Sequence, residues 1–252
     1  MKNREVGKMI VILIILALNI LTALIVRVTH GGRLICDGAF PITDGKVILV
    51  AGMLSQPESA YQYIDFHNKV IGYLRFSSFG FNPKNAAYQL DEVIQPNDTV
   101  VGISIGCKPI IMSLVKCRRK ILINPMTHSI ILKAKNQMLI EYLAPLAEVL
   151  SYALGWISLI PFIKTDTGDH YSLALLLDQL YWMYYGDPED EDMDSLDNVG
   201  IVISNQDEFL ENDIISSIYL KASGQFDIDT RHGHTANPKV APLYQDAIDF
   251  LF

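Results

Sequence analysis

Apolar runs four to six residues long recur along the chain, each closed by a turn residue. "KVILVAG" (Lys46 to Gly52), "KVIGYLRF" (Lys69 to Phe76), "TVVGIS" (Thr99 to Ser104), "RKILINP" (Arg119 to Pro125) and "NVGIVIS" (Asn198 to Ser204) lack a polar face. Continuous apolar runs of this length predict strands buried on both sides. "GGRLICDG" and "QFDID" add one short strand at each end of the series. Between the runs lie stretches with helical spacing: "PESAYQYIDFH", "AAYQLDEVI", "CKPIIMSLVK", "DEFLENDIISSIYLKA" and "APLYQDAIDFL". Pro109 falls in the first turns of the third, where a missing N–H costs little. Strands alternating with helices predict an α/β fold, a mostly parallel sheet with helices on both faces.

The alternation stops between residues 127 and 197. That stretch shows helical patterns only, "SIILKAKNQMLIEYLAPLAEVLSYAL" and "HYSLALLLDQLYWMYYG". It is expected to be a helical cap inserted over the sheet. Tyr142, Tyr152, Trp156, Phe162, Tyr181, Trp182, Tyr184 and Tyr185 give it an aromatic character that fits either a pocket for an acyl chain or an ordinary helical core. The insertion ends in "DPEDEDMDSLD", which lacks the spacing and glycine of a calcium loop and reads as a solvated linker.

The N-terminus follows a different pattern. From Met9 to Val26 no residue is charged, and Lys2, Arg4 and Lys8 precede the run. About 18 to 20 apolar residues span a bilayer as a helix. Residues 1–30 are therefore expected to be a membrane anchor and 31–252 the folded domain. A cleaved signal peptide is the alternative, but no small-x-small site follows Val26. The basic N-terminal flank favours an inside N-terminus and an extracytoplasmic domain.

Composition narrows the function. The 252 residues carry a net charge of −8, and no basic stripe is present, which disfavours binding to nucleic acid. No Cys/His cluster has zinc spacing. Cys107 and Cys117, ten residues apart on one predicted helix, are separated by about 15 Å and cannot pair. Free, mostly buried thiols are expected.

"DTVVGISIGCKPII" (Asp98 to Ile111) holds Gly102-x-Ser104-x-Gly106. Three fixed positions occur by chance in roughly one chain of this length in ten. Context gives the motif its weight: a buried strand leads in and a helix leads out. A serine on such a turn has an exposed hydroxyl, and the N–H of Ile105 faces a developing oxyanion. A serine needs a base to become a nucleophile. Asp207 stands just past the strand "NVGIVIS", and His234 follows a glycine in "DTRHGHTANP". Glu208 and His232 are the neighbouring alternatives.

With Ser104, Asp207 and His234 in that chain order, the sequence from Arg33 to Phe252 resembles an α/β-hydrolase. The resemblance implies Ser104 as nucleophile, His234 as general base and Asp207 as the acid that orients it. It implies a second oxyanion-hole N–H from Met53, in the turn after "KVILVAG". Ala51-Gly52 stands where many relatives carry His-Gly, and the region ahead of Lys46 is short, so the sheet is expected to be reduced at that edge. The implied activity is hydrolysis of a small-molecule carboxylic ester or other acyl substrate through an acyl-enzyme, with no metal or organic cofactor. An acyltransferase, thioesterase or peptidase with the same three residues, or a binding module on the same scaffold, are the alternatives.

Overall fold

The computed structural model describes residues 9–21, 34–36, 45–53, 55, 57–67, 69, 71–76, 83–154, 161–164, 170–189, 196–229, 234 and 239–252. In chain order these form helix α1 over residues 9–21, β1 (Leu34–Cys36), β2 (Val47–Val50), α2 (Pro57–Ala60), β3 (Ile71–Phe76), α3 (Pro83–Asp91) and β4 (Thr99–Ile103). A 3₁₀ turn (Ser104–Gly106), α4 (Cys107–Met112), β5 (Arg119–Ile123) and a second 3₁₀ turn (Ser129–Ile131) follow. Then come α5 (Ala134–Leu154), β6 (Pro161–Lys164), β7 (His170–Ser172), α6 (Leu173–Tyr185), β8 (Val199–Ser204), α7 (Asn212–Ile218), β9 (Gly224–Ile228) and α8 (Ala241–Leu251).

Seven strands form one sheet in the order β1-β3-β2-β4-β5-β8-β9. The six from β2 onward run parallel, and β1 pairs antiparallel with β3, Ile35 opposite Arg75. The apolar runs are explained by two cores. Successive side chains in a strand point to opposite faces. Ile48, Val50, Val100, Leu122 and Ile201 pack on one face with Leu90, Ile110 and Ile215 from α3, α4 and α7. Val47, Leu49, Val101, Ile121, Ile123 and Val202 pack on the other with Tyr244, Ile248 and Leu251 of α8. A strand that must be apolar on both faces cannot alternate.

At the N-terminal edge of this sheet lies a buried ion pair. Lys46 Nζ is 2.6 Å from Asp98 Oδ2, with 2% and 0% of the two side chains exposed. Asp98 also accepts the N–H groups of Gly45, Lys46 and Gln95. One carboxylate thus ties the entry of β2 to the entry of β4.

Several predicted helices are shorter than their periodicity. "PESAYQYIDFH" is helical only over Pro57–Ala60, because Tyr61 leaves the helix to bury its ring. Its hydroxyl donates to Val50 O at 2.8 Å and lies 3.2 Å from Val101 O. "CKPIIMSLVK" ends at Met112: Ser113 is extended and donates its hydroxyl to Asp91, turning the chain toward β5. Cys107 and Cys117 are free and buried, but Cys117 lies beyond that helix. "DEFLENDIISSIYLKA" is helical only over Asn212–Ile218.

The insertion, expected to be purely helical, also contains a two-stranded antiparallel pair, β6 with β7. Among the described residues its two strands pair with each other and lie outside the main sheet, so they need no long apolar run. Its two helices, α5 and α6, pack together. The aromatic residues divide. Trp182 is core, Tyr142 is 74% exposed, Tyr185 is exposed, and Tyr181 and Tyr184 are half-buried. The side chains of Tyr152, Trp156 and Phe162 lie outside the described residues. Within the acidic run, Asp187 is no mere solvated linker residue: it pairs with the buried Lys108.

Among the described residues no helix is long and apolar enough to cross a membrane. At about 1.5 Å per residue, α1 spans about 20 Å. The rest of the predicted anchor, 1–8 and 22–30, lies outside the described residues.

Candidate active site

Ser104 sits where β4 ends and the chain turns sharply into α4. Its φ is +55°, a left-handed conformation that costs a non-glycine residue roughly 1–3 kcal/mol. The two motif glycines permit the turn by their lack of a side chain. A Cβ on Gly106 would stand 2.3 Å from the carbonyl oxygen of Ala51, and one on Gly102 would stand 2.4 Å from Ile110 Cδ1. The turn is therefore pressed against the end of β2. The residue before Met53 is packed directly on the serine: a Cβ on Gly52 would meet the Ser104 Cβ at 3.1 Å. Ile105 is the second residue of the 3₁₀ turn, where an N–H has no partner inside the turn.

His234 Nε2 lies 2.9 Å from Ser104 Oγ, and its Nδ1 lies 2.7 Å from Asp207 Oδ2. Ser104 and Asp207 are buried, while 16% of the His234 side chain is exposed. Asp207 is held rigidly. Its other carboxylate oxygen accepts the N–H groups of Phe209 at 2.7 Å and Leu210 at 3.1 Å. This turn uses the residues that sequence periodicity assigned to the start of a helix. Glu208, the neighbouring alternative, has an exposed side chain, and its carbonyl accepts from Asn136. His232 lies outside the described residues. The structure thus brings together Ser104, His234 and Asp207 from the C-terminal ends of β4 and β8 and the loop after β9. The crevice beyond the carboxyl ends of parallel strands is where open α/β sheets place their ligands.

Sequence reasoning missed the residues that hold this arrangement. Asn124, at the end of β5, has φ +43° and is buried. Its Nδ2 donates to His234 O at 3.1 Å, and lies 2.7 Å from the Tyr244 hydroxyl, while its Oδ1 accepts the Ser204 N–H. One amide therefore links His234, the strand that leads to Asp207, and α8. The available signal was its place at the end of an apolar strand, level with Ser104 on the next. Phe209 sets its ring edge-on to the His234 imidazole, centroids 5.2 Å apart. Lys133, ahead of α5, donates its ammonium to Asp207 O, and its N–H to Phe209 O at 2.9 Å. The start of the insertion thereby braces the acid-bearing loop. Cys107, next to the turn, is a poor nucleophile, since burial pushes its thiol up. No group of metal-ligating side chains occurs among the described residues.

No protein-family model matches the sequence, and no curated protein matches it. Solved structures do. An α/β-hydrolase enzyme, MGS-M2, from a Medee basin deep-sea metagenome library superposes with a TM-score of 0.61 at 13% identity, over 88% of this chain and 94% of its own. An esterase from Exiguobacterium antarcticum gives 0.59 at 11% identity, covering 88% and 96%. The carboxylesterase CesB from Bacillus subtilis gives 0.53 at 12% identity, covering 94% and 97%. Identities this low speak to architecture alone, and they speak to nearly the whole length of each partner: the fold of this chain is that of the α/β-hydrolases.

Proposed function

We propose that the protein is a serine hydrolase that cleaves carboxylic esters. One observation carries the reading: a single imidazole bridges the Ser104 hydroxyl and the Asp207 carboxylate at hydrogen-bond distance on both sides. In the proposed reaction Ser104 Oγ attacks the ester carbonyl while His234 Nε2 takes its proton. Asp207 accepts the Nδ1–H, which fixes the tautomer and stabilises the imidazolium. The N–H groups of Met53 and Ile105 bind the tetrahedral oxyanion. His234 then returns the proton to the departing alcohol. Water, deprotonated by the same imidazole, attacks the acyl-enzyme; the second tetrahedral intermediate expels Ser104 Oγ, which takes the proton back from His234, and the acid is freed. Each step closes on protons and electron pairs without a cofactor.

The esterases among the structural neighbours support an ester over an amide or thioester as substrate. An acyltransferase would use the same residues with an alcohol in place of water, and a binding module would need none of the three. A fluorophosphonate probe separates the serine enzymes from the binding module, and release of free acid rather than a new ester separates the hydrolase from the acyltransferase. Wild-type protein is expected to be labelled on Ser104, and Ser104→Ala to be unlabelled. Equal labelling of both proteins would remove Ser104 from the reaction; no labelling of either would leave the binding module.

We also propose that the enzyme works at a bilayer, held by its N-terminal segment. The support is the uncharged run from Met9 to Val26, and the exposure of Met9 to Leu16 along α1. Full-length protein is expected to stay with membranes through carbonate extraction. Release into the supernatant would overturn the anchor.

A further inference from the structure

The helix behind the nucleophile turn carries a buried charge. Lys108 lies in the first turn of α4, and 0% of its side chain is exposed. A buried ammonium is costly even when paired, and the N-terminal turn of a helix is the unfavourable end for a cation. The partners of Lys108 lie outside α4. Its Nζ donates to the Trp182 carbonyl, near the end of α6, and sits 3.1 Å from Asp187 Oδ1, just beyond α6. Asp187 also accepts the Ser129 N–H and, at 3.0 Å, the Ser129 hydroxyl. One ammonium therefore joins the nucleophile helix, the end of α6 and the 3₁₀ turn that opens the insertion. α6 itself lies against the Ser104–Gly106 turn. Its Leu180, Tyr181, Met183 and Tyr184 pack, with Met53, on the core that contains Ile105.

We propose that Lys108 is a positioning residue: it seats α6 over the Ser104 turn and so sets how tightly the acyl group of the substrate is held. The inference rests on the serine-hydrolase reading. Stability does not account for the pair. Burial pushes the Lys108 ammonium down from about 10.5 to about 8, against the opposing pull of Asp187. Between those values the unfolded chain holds a proton that the folded chain has released, so stability rises with pH across that window. Below it the charged lysine is a net cost that the ion pair does not recover. Buried ionic groups kept at such a cost are best attested as registry devices. Among the described residues two further titratable groups face this pair. His128 is lowered by burial, with Asp187 and Lys108 pulling in opposite directions. Tyr184 is raised, by desolvation first, with Asp187 among the charges that add to it. On the other flank of α4, α3 engages Asp91 with Ser113 and Lys84 with Glu189.

The experiment compares wild type with Lys108→Met on p-nitrophenyl esters from acetate to decanoate. For the longer esters KM is expected to rise about tenfold with kcat within about twofold, as for one lost charge-assisted hydrogen bond that acts only on binding. Tm is expected to hold or rise. Wild-type KM should climb toward the variant's value above about pH 8, where Lys108 discharges, and the variant's KM should stay flat. Amide exchange over residues 177–187 should quicken in the variant. Asp187→Asn should shift KM in the same direction, and the double variant no further than either single one. A fall in Tm with KM and α6 exchange unchanged would make Lys108 structural and overturn the proposal; so would a fall in kcat alone. If Lys108→Met does not fold, Asp187→Asn carries the same test. If wild type hydrolyses no ester and takes no fluorophosphonate, the serine-hydrolase reading has failed instead. Exchange over α6 then still decides whether Lys108 seats the helix.

Discussion

Ser104→Ala is expected to lower kcat by about 10⁶-fold, His234→Ala by a similar factor, and the double variant no further than Ser104→Ala alone. The physical reason is that in the proposed reaction the two groups act in one event. Without the imidazole 2.9 Å away, the Ser104 hydroxyl keeps its proton and cannot attack; without the hydroxyl, the imidazole has no proton to take. What survives in either variant is binding and oxyanion stabilisation by backbone N–H groups, which neither substitution touches. Asp207→Asn is expected to cost about 10⁴-fold, because an amide facing Nδ1 can hold the wrong imidazole tautomer. The asparagine Oδ1 can keep the bonds from Phe209 and Leu210, so the loop should remain in place. Single-turnover kinetics on one activated ester check all four proteins. Losses that multiply in the double variant would show that Ser104 and His234 act independently, and would sink the shared proton transfer.

The second large effect concerns stability. Asp98→Asn is expected to destabilise the protein by about 3–5 kcal/mol, since it leaves the Lys46 ammonium in the interior without its carboxylate. Against a total of roughly 5–15 kcal/mol for a domain, that is a large share. The measurement is the midpoint of urea unfolding. Lys46→Met combined with Asp98→Asn should recover part of the loss, because the stranded charge is gone. Activity per folded molecule should be unchanged: Asp98 precedes β4 and Ser104 follows it, about 20 Å apart along an extended strand. A midpoint unmoved by Asp98→Asn would mean that Gly45, Gln95 and the backbone of Lys46 hold this edge without the charge.

Much of the architecture was legible because it rests on short-range chemistry. A strand buried on both faces must be apolar at every position, so "KVILV", "TVVGI" and "GIVIS" announce a covered parallel sheet before any contact is known. A serine between glycines at the end of such a strand announces a tight turn, because only a missing Cβ lets Gly106 press against Ala51. Order along the chain then pointed to the neighbourhoods of Asp207 and His234 and left Glu208 and His232 as alternatives.

Helix length was less legible, because it is decided by partners far away in sequence. Nothing in "PESAYQYIDFH" says that Tyr61 will abandon the helix for carbonyls on β2 and β4. Likewise "DEFLEN" has helical spacing, yet Asp207 spends its carboxylate on the Phe209 and Leu210 N–H groups and delays the helix to Asn212.

By itself, then, the sequence determined the elements and the chemistry they can carry: buried parallel strands, the Ser104 turn, and an acid and a base placed to follow. Periodicity and steric demand act within a few residues, and a sequence displays them directly. Only the tertiary structure decided what holds those groups in register. Asn124 meets His234 from 110 residues away, Lys133 meets Asp207 across 74, and Lys108 meets Asp187 across 79. Each is a polar side chain whose partner is chosen by burial, since an amide or ammonium taken out of water must bond to whatever the fold brings near. That choice leaves no periodic trace in the chain.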